Sequence, residues 1–177
     1  MRLRPCARKD AMTAESAQQS TRTVVRRATG ADIPHMVMIG RRFLAETGYE
    51  KRGIHGNPNK LHESLERSMS DDASSVFVAE RAGVIIGVAS AVKFTTYFSD
   101  APMSIELFWW VDPAHRGGSA ALRLMQALED WSWASGCAAF SMVDIVDIDG
   151  PATSIYERRG FDMVERTWMK RNPAWQQ

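Results

Sequence analysis

Between Val111 and Trp131 the sequence reads VDPAHRGGSAALRLMQALEDW. An apolar strand end gives way to a Pro turn, then to Arg116, Gly117 and Gly118, then to a long helical pattern. The chemistry such a junction offers is anion binding. The first turn of a helix leaves its N–H groups unpaired, and the helix dipole adds partial positive charge there. Small side chains let a phosphate approach closely, and an arginine adds a full charge. The backbone of Gly117, Gly118, Ser119, Ala120 and Ala121, with Arg116 beside it, would therefore cradle a diphosphate. The residues alone leave a second reading open, in which the two glycines only turn the chain. Neither the dinucleotide pattern GxGxxG nor the P-loop pattern is present. Just upstream, in SIELFWWV (104–111), Glu106 stands amid apolar neighbours. Alternation puts it with Phe108 and Trp110, opposite Ile105 and Leu107. Burial there would raise its carboxyl pKa. A bulge would change its face, and a structural carboxylate paired with Arg or Lys is the competing reading.

The elements that must position these residues follow from pattern. TVVRRA (23–28) suits a short first strand. A helix follows it, with Asp32 as N-cap and Pro34 in the first turn. TGYEKRGIHGNPNK is a loop, and Pro58 or Asn59 opens a second helix that runs to about Met69. SVFVAE (75–80) and VIIGVASAV (84–92), linked by RAG, form an antiparallel hairpin. FSDAPM reads as a loop, and the continuous apolar character of 104–111 as a central strand covered on both sides. In the helix at 118–135, Ala121, Leu124, Met125, Leu128 and Trp131 share one face, and Gly136 ends it. CAAFSMVDI (137–145) is a buried strand, DGPATSIYERRG a short helix closed by Gly160, and FDMVERTWMKRN a final strand region. Three strands in succession exclude a doubly wound fold. The expected class is α+β: a mixed, mostly antiparallel sheet with one parallel β-α-β crossover and helices on both faces.

Composition narrows the function classes. The chain has 177 residues, 45% apolar and 24% charged, with net charge +1, which suits one domain without a field for nucleic acid or membrane. Residues 1–22 hold five basic and two acidic residues and no periodicity, so they read as a flexible polar tail; Met12 is an alternative start. Cys6 and Cys137 make no disulfide framework or metal spacing, and Cys137 reads as a buried thiol. No apolar run reaches the roughly 18 residues of a membrane span, and no signal segment precedes the domain; a cytoplasmic location is expected. His115 reads as a turn residue. Trp109, Trp110, Trp131 and Trp133 read as core, because no basic stripe accompanies them.

VDPAHRGGSAA resembles motif A of the GNAT superfamily of acyl-CoA N-acyltransferases: Val111, Pro113, Arg116 and Ala121 match, and Ser119 stands at a usual glycine. ATSIYERRGF (152–161) resembles the family's A-x-x-x-[YF]-x-x-x-G-F segment, with Asp149 where an asparagine is usual. The resemblance spans residues 23–173, leaving the tail, and implies the GNAT fold. It implies a sheet that splays between the strands at 104–111 and 137–145. Acetyl-CoA would enter there as co-substrate, with no metal. Its diphosphate would sit on the helix start, and its pantetheine on the backbone of Trp109, Trp110 and Val111 and near Asp149. The resemblance makes Tyr156 the acid that protonates the leaving thiolate and Glu106 the base. An N-acetyltransferase follows, with a small-molecule amine, a peptide N-terminus or a lysine as acceptor. Acceptor choice would rest on residues 45–60 and 162–168, where Glu46, Tyr49, Glu50 and Trp168 could attract and cover a cationic amine. No nucleic acid or membrane partner is expected, and a homodimer is left open. The alternatives are a non-catalytic acyl-CoA-binding or interaction module on the same scaffold, and a toxin acetylating aminoacyl-tRNA.

Overall fold

In the computed structural model, which describes residues 22–145 and 152–174, two helical layers enclose one sheet. The strands are β1 (Val24–Arg27), β2 (Ser74–Arg81), β3 (Val84–Thr96), β4 (Ser99–Val111) and β5 (Ala139–Ser141). The helices are α1 (Ile33–Glu46), α2 (Pro58–Ser70), α3 (Ala120–Ala134) and α4 (Ala152–Arg158). The sheet runs in the order β1-β2-β3-β4-β5. All neighbours are antiparallel except β4 and β5, which α3 joins as a parallel crossover. The expected fold class holds.

Alternation along the strands builds two cores. Ala79, Ala89, Ala91 and Val111 pack under Leu124, Leu128 and Trp131 of α3. Val76, Val78, Val88 and Trp110 pack under Ile33, Met36 and Ile39 of α1 and Leu65 of α2. Small residues on the α3 side bring that helix close to the sheet. A buried hydrogen bond of 2.6 Å between the Ser104 and Ser132 hydroxyls ties it to β4 and leaves neither hydroxyl unpaired. Cys137 is a buried free thiol, as expected.

The helix starts use local chemistry, with one change from expectation, at Asp32. Asn57 caps α2, its Oδ1 accepting from the N–H groups of Asn59 and Lys60 at 3.0 and 3.1 Å. Asp32 precedes α1, yet its carboxylate does not cap that helix. It turns back to Thr29 and Arg26.

Three strand boundaries also differ. FSDAPM is largely strand: β3 reaches Thr96, the turn is Tyr97–Phe98, and Pro102 lies opposite Thr95 in the ladder. The turn-like composition yields there to cross-strand pairing, which local pattern cannot report. The Pro102 carbonyl further accepts from Ala138 N–H at 2.7 Å. β5 forms only Ala139–Ser141 of the expected 137–145. No strand forms in 161–172. A strand exists only within a ladder, and a three-residue β5 offers little to extend. Asp149 and tail residues 1–21 lie outside the described residues.

Candidate active site

The junction between β4 and α3 is built as the sequence implies. Asp112 caps a short 3-10 turn through Ala114 N–H at 3.0 Å. The chain then reverses at Gly117, whose φ of +81° is the left-handed conformation that glycine adopts without strain. A side chain there would meet open space, so steric room is not what asks for glycine. Ser119 is the residue before α3, and its hydroxyl makes no cap hydrogen bond. The first N–H groups of the helix therefore stay available to a ligand.

Arg116 goes elsewhere. Its guanidinium grips the Glu46 carboxylate of α1 in a two-pronged ion pair at 2.5 and 2.7 Å. Its Nε donates to the Val111 carbonyl at 2.9 Å, and the group lies over the Trp110 ring. Trp110 Nε1 donates to the same Glu46 at 2.7 Å. Glu46 is thereby held ionised below its ordinary pKa, first by Arg116 and also by Trp110. Trp109 Nε1 binds the Ala121 carbonyl at 3.0 Å, so both tryptophans anchor β4. The charge beside the glycines comes instead from Arg81, which no motif marks out. A side chain on Gly118 would come within 3.4 Å of the Arg81 guanidinium at the end of β2. Arg81 is held there by Thr23 Oγ1, which accepts from its Nε and Nη2 at 3.0 and 2.8 Å.

Glu106 and Tyr156 meet at one peptide. β5 pairs with β4 only as far as Ser141, opposite Ile105. β4 bulges there, because Ser90 lies opposite Phe108 while Ala91 lies opposite Glu106. Leu107 is the extra residue. The bulge breaks the alternation that grouped Glu106 with Phe108 and Trp110. The Glu106 carboxylate enters the gap left by β5 and accepts the Val143 N–H at 3.2 Å. Tyr156 of α4 donates its hydroxyl to the Val143 carbonyl at 2.9 Å. Its ring leans on Trp109 and Phe161.

The surroundings tune both groups. Glu106 is only 7% exposed, and burial pushes its carboxyl up to about 7, against a smaller lowering by the Val143 N–H. Burial also pushes the Tyr156 phenol above its ordinary value, with the charges of Glu106 and Asp144 adding to the rise. Tyr156 thus stays protonated at any working pH, and Glu106 changes charge near neutrality.

Glu106 lines a pocket of about 260 Å³. Phe43 and Leu44 come from α1, Tyr49 and Ile54 from the loop after it, and Leu107, Val143 and Ile145 from the two sides of the splay. Among these, Tyr49 is a residue expected to cover the amine, and Ile54 falls within the 45–60 stretch expected to choose the acceptor. Phe43 and Leu107 carry no chemical signal, and the bulge that presents Leu107 is not visible in composition. Glu50 and Trp168 do not line the pocket. Half-buried His115 has no partner for its Nδ1 among the described residues. Among the described residues no group of three or more His, Cys, Asp or Glu side chains could hold a metal ion, and no helix is long and apolar enough to cross a membrane.

Residues 43–161 match the profile of the acetyltransferase (GNAT) family. Among solved structures, an aminoglycoside N-acetyltransferase, AAC(6')-Iy, in complex with CoA superposes with a TM-score of 0.69. The two sequences are 18% identical, and the match covers 87% of this chain and 97% of that one. An acetyltransferase from Clostridium acetobutylicum with acetyl-CoA gives 0.66 at 19% identity, over 85% and 96% of the two chains. A transcriptional regulator from Bacillus halodurans C-125 gives 0.69 at 17% identity, over 85% and 100%. At such identities the likeness is one of fold. No curated protein matches the sequence.

Proposed function

The chain belongs to the acetyltransferase (GNAT) family, and from that premise we propose that it moves an acetyl group from acetyl-CoA to a primary amine. The observation that carries the proposal is the convergence of Glu106 and Tyr156 on Val143, beside a pocket and at the place where β5 leaves β4. Structural neighbours with CoA and acetyl-CoA bound support the co-substrate. The residues at the helix start fit its diphosphate: uncapped N–H groups follow Gly118, and Arg81 stands beside them. Beyond Ile105, no strand pairs with β4 on its β5 side among the described residues. The backbone of Trp109 to Val111 is the edge on which the pantetheine arm would lie.

The amine must be neutral to attack. Glu106 removes its proton, and a carboxyl with a pKa near 7 is suited to do so at neutral pH. The nitrogen forms a bond to the thioester carbon, and a backbone N–H of the β4 edge near Val111 meets the oxygen as it gains charge. The carbon–sulfur bond breaks, and Tyr156 gives its proton to the thiolate. A phenol above its ordinary pKa is a reluctant acid toward a thiol of pKa about 8.5. Part of that reluctance is the negative charge of Glu106. Once Glu106 holds the amine's proton the charge is gone, and Tyr156 becomes a better acid at the moment it is needed. Formation of the C–N bond acidifies the nitrogen, whose second proton returns Tyr156 to its phenol, and Glu106 gives its proton to solvent. The net change converts an ammonium and a thioester into an amide, a thiol and one released proton.

Thiol release from acetyl-CoA against a panel of amines tests the proposal. Turnover that Glu106→Gln and Tyr156→Phe each suppress, with acetyl-CoA binding retained, is the expected result. Tight binding of acetyl-CoA with no turnover of any amine would leave the acyl-CoA-binding module as the better reading.

A further inference from the structure

We infer that the acceptor is a primary amine with a single positive charge on a compact apolar body, seated in the pocket beside Leu107 with its nitrogen at Glu106. The inference rests on the acetyl-transfer reading above and concerns which amine is taken.

Three observations point the same way. First, apart from Glu106 every described residue of the pocket is aliphatic or aromatic. The wall is also preformed: the Phe43 ring meets Phe108 edge-on at 4.6 Å, and Tyr49 lies 6.2 Å from Phe43. The gain on binding is therefore mainly burial of apolar surface. A polar sugar would bring more hydroxyls than the Glu106 carboxylate and the Tyr49 hydroxyl, the polar side-chain groups of the described lining, can partner.

Second, the charge balance suits one ammonium. Glu106 is the one acid among the described lining residues. Glu46, on the same helix as Phe43, is taken by Arg116 and Trp110. The depression next to the pocket shares Ile54 with it and is lined by Arg52, Lys170 and Arg171. A ligand with further ammonium groups would bring them toward cations, and like charges set side by side weaken binding.

Third, the size is small. About 260 Å³ lies below the roughly 300–1,000 Å³ typical of pockets for drug-sized ligands. One ring or a short alkyl chain is the matching body, and a multi-ring amine would extend beyond the pocket toward its neighbours.

The test measures kcat/KM for thiol release from acetyl-CoA with 2-phenylethylamine, hexylamine, spermidine, neamine and a hexapeptide carrying one lysine. The two apolar monoamines are expected to exceed the polycations and the peptide by about 100-fold, a ratio of the size that apolar pockets reach. Leu107→Asp and Ile54→Asp alter half-exposed positions, 56% and 47% accessible, which a folded chain tolerates. Each should lower kcat/KM for 2-phenylethylamine about tenfold and raise it for spermidine, because a new carboxylate replaces apolar wall. A preference for spermidine, neamine or the peptide in the parent protein overturns this inference and leaves acetyl transfer standing. If acetyl-CoA binds but no amine is turned over, acetyl transfer fails. The pocket's preference is then read by calorimetric titration with 2-phenylethylamine and spermidine, and tighter spermidine binding overturns it.

Discussion

Two carboxylates in this protein expose almost nothing to water and behave in opposite ways. Asp32 is 6% exposed and Glu106 is 7% exposed. Asp32 accepts from Arg26 at 2.7 and 2.9 Å and from Thr29 N–H and Oγ1 at 2.8 and 2.9 Å. Arg26 is itself shared with Glu80. The guanidinium holds Asp32 far below the ordinary carboxylate range, with the Thr29 bonds adding to it and burial only partly opposing. Among the described residues Glu106 has one backbone N–H and no cation, so burial wins and its pKa rises. Glu106 lies deeper in the protein than Asp32 as well as lacking a cation, so depth and partners together set the sign. The satisfied acid pins β1 and β2 to the start of α1. The unsatisfied one, in a pocket, is available for proton transfer.

The largest effect that would test this contrast is on turnover. At pH 8, Glu106→Gln should lower kcat/KM by about 10³-fold, within the range for losing a general base. The parent profile should rise with pH through about 7, while the variant's stays flat; a parent profile flat from pH 6 to 8 would break the contrast. Next in size, Asp32→Asn should cost about 3 kcal/mol in urea unfolding, because Arg26 loses one of its two carboxylate partners, with kcat unchanged. Tyr156→Phe should lower kcat about 10²-fold with KM for acetyl-CoA little altered. An unchanged kcat would remove Tyr156 as the acid.

The smallest effect is on stability against pH, and the two acids act on opposite limbs. The folded pKa of Glu106 is raised, so its contribution is whole below the unfolded carboxyl pKa and is lost as pH rises through about 7. Glu106→Gln should therefore be more stable than the parent by about 2 kcal/mol at pH 8 and equal to it at pH 4. The folded pKa of Asp32 is depressed, so its contribution is present above the unfolded pKa and is lost as pH falls. Asp32→Asn should differ most from the parent at neutral pH and least in strong acid. Thermal melts of both variants across this range would show the two limbs, and a parallel response would mean that burial alone governs both acids.

Much of the scaffold was legible because its signals are local. Pro34, Gly136 and Gly160 mark helix boundaries through their own backbone preferences. The period of Leu124, Leu128 and Trp131 names the buried face of α3 before any partner is known. What was illegible depends on pairing between distant segments. Pro102 sits in a strand because β3 and Ala138 engage it. Residues 161–172 have a strand-like composition but no ladder to join. The alternation rule grouped Glu106 with Phe108 until the Leu107 bulge changed the count.

The sequence by itself determined the family signature, the order of elements as far as the helix at 152–158, and a helix start within two residues of Ala120, since each is written in residues close together along the chain. Only the tertiary structure decided where the charges go. Arg116 finds Glu46 across 70 residues, and Glu106 meets Val143 across 37. The charge beside Gly118 belongs to Arg81, from another strand. The state of a buried charge is set by the solvent it loses and the partners it gains, and both are fixed only when distant segments pack together.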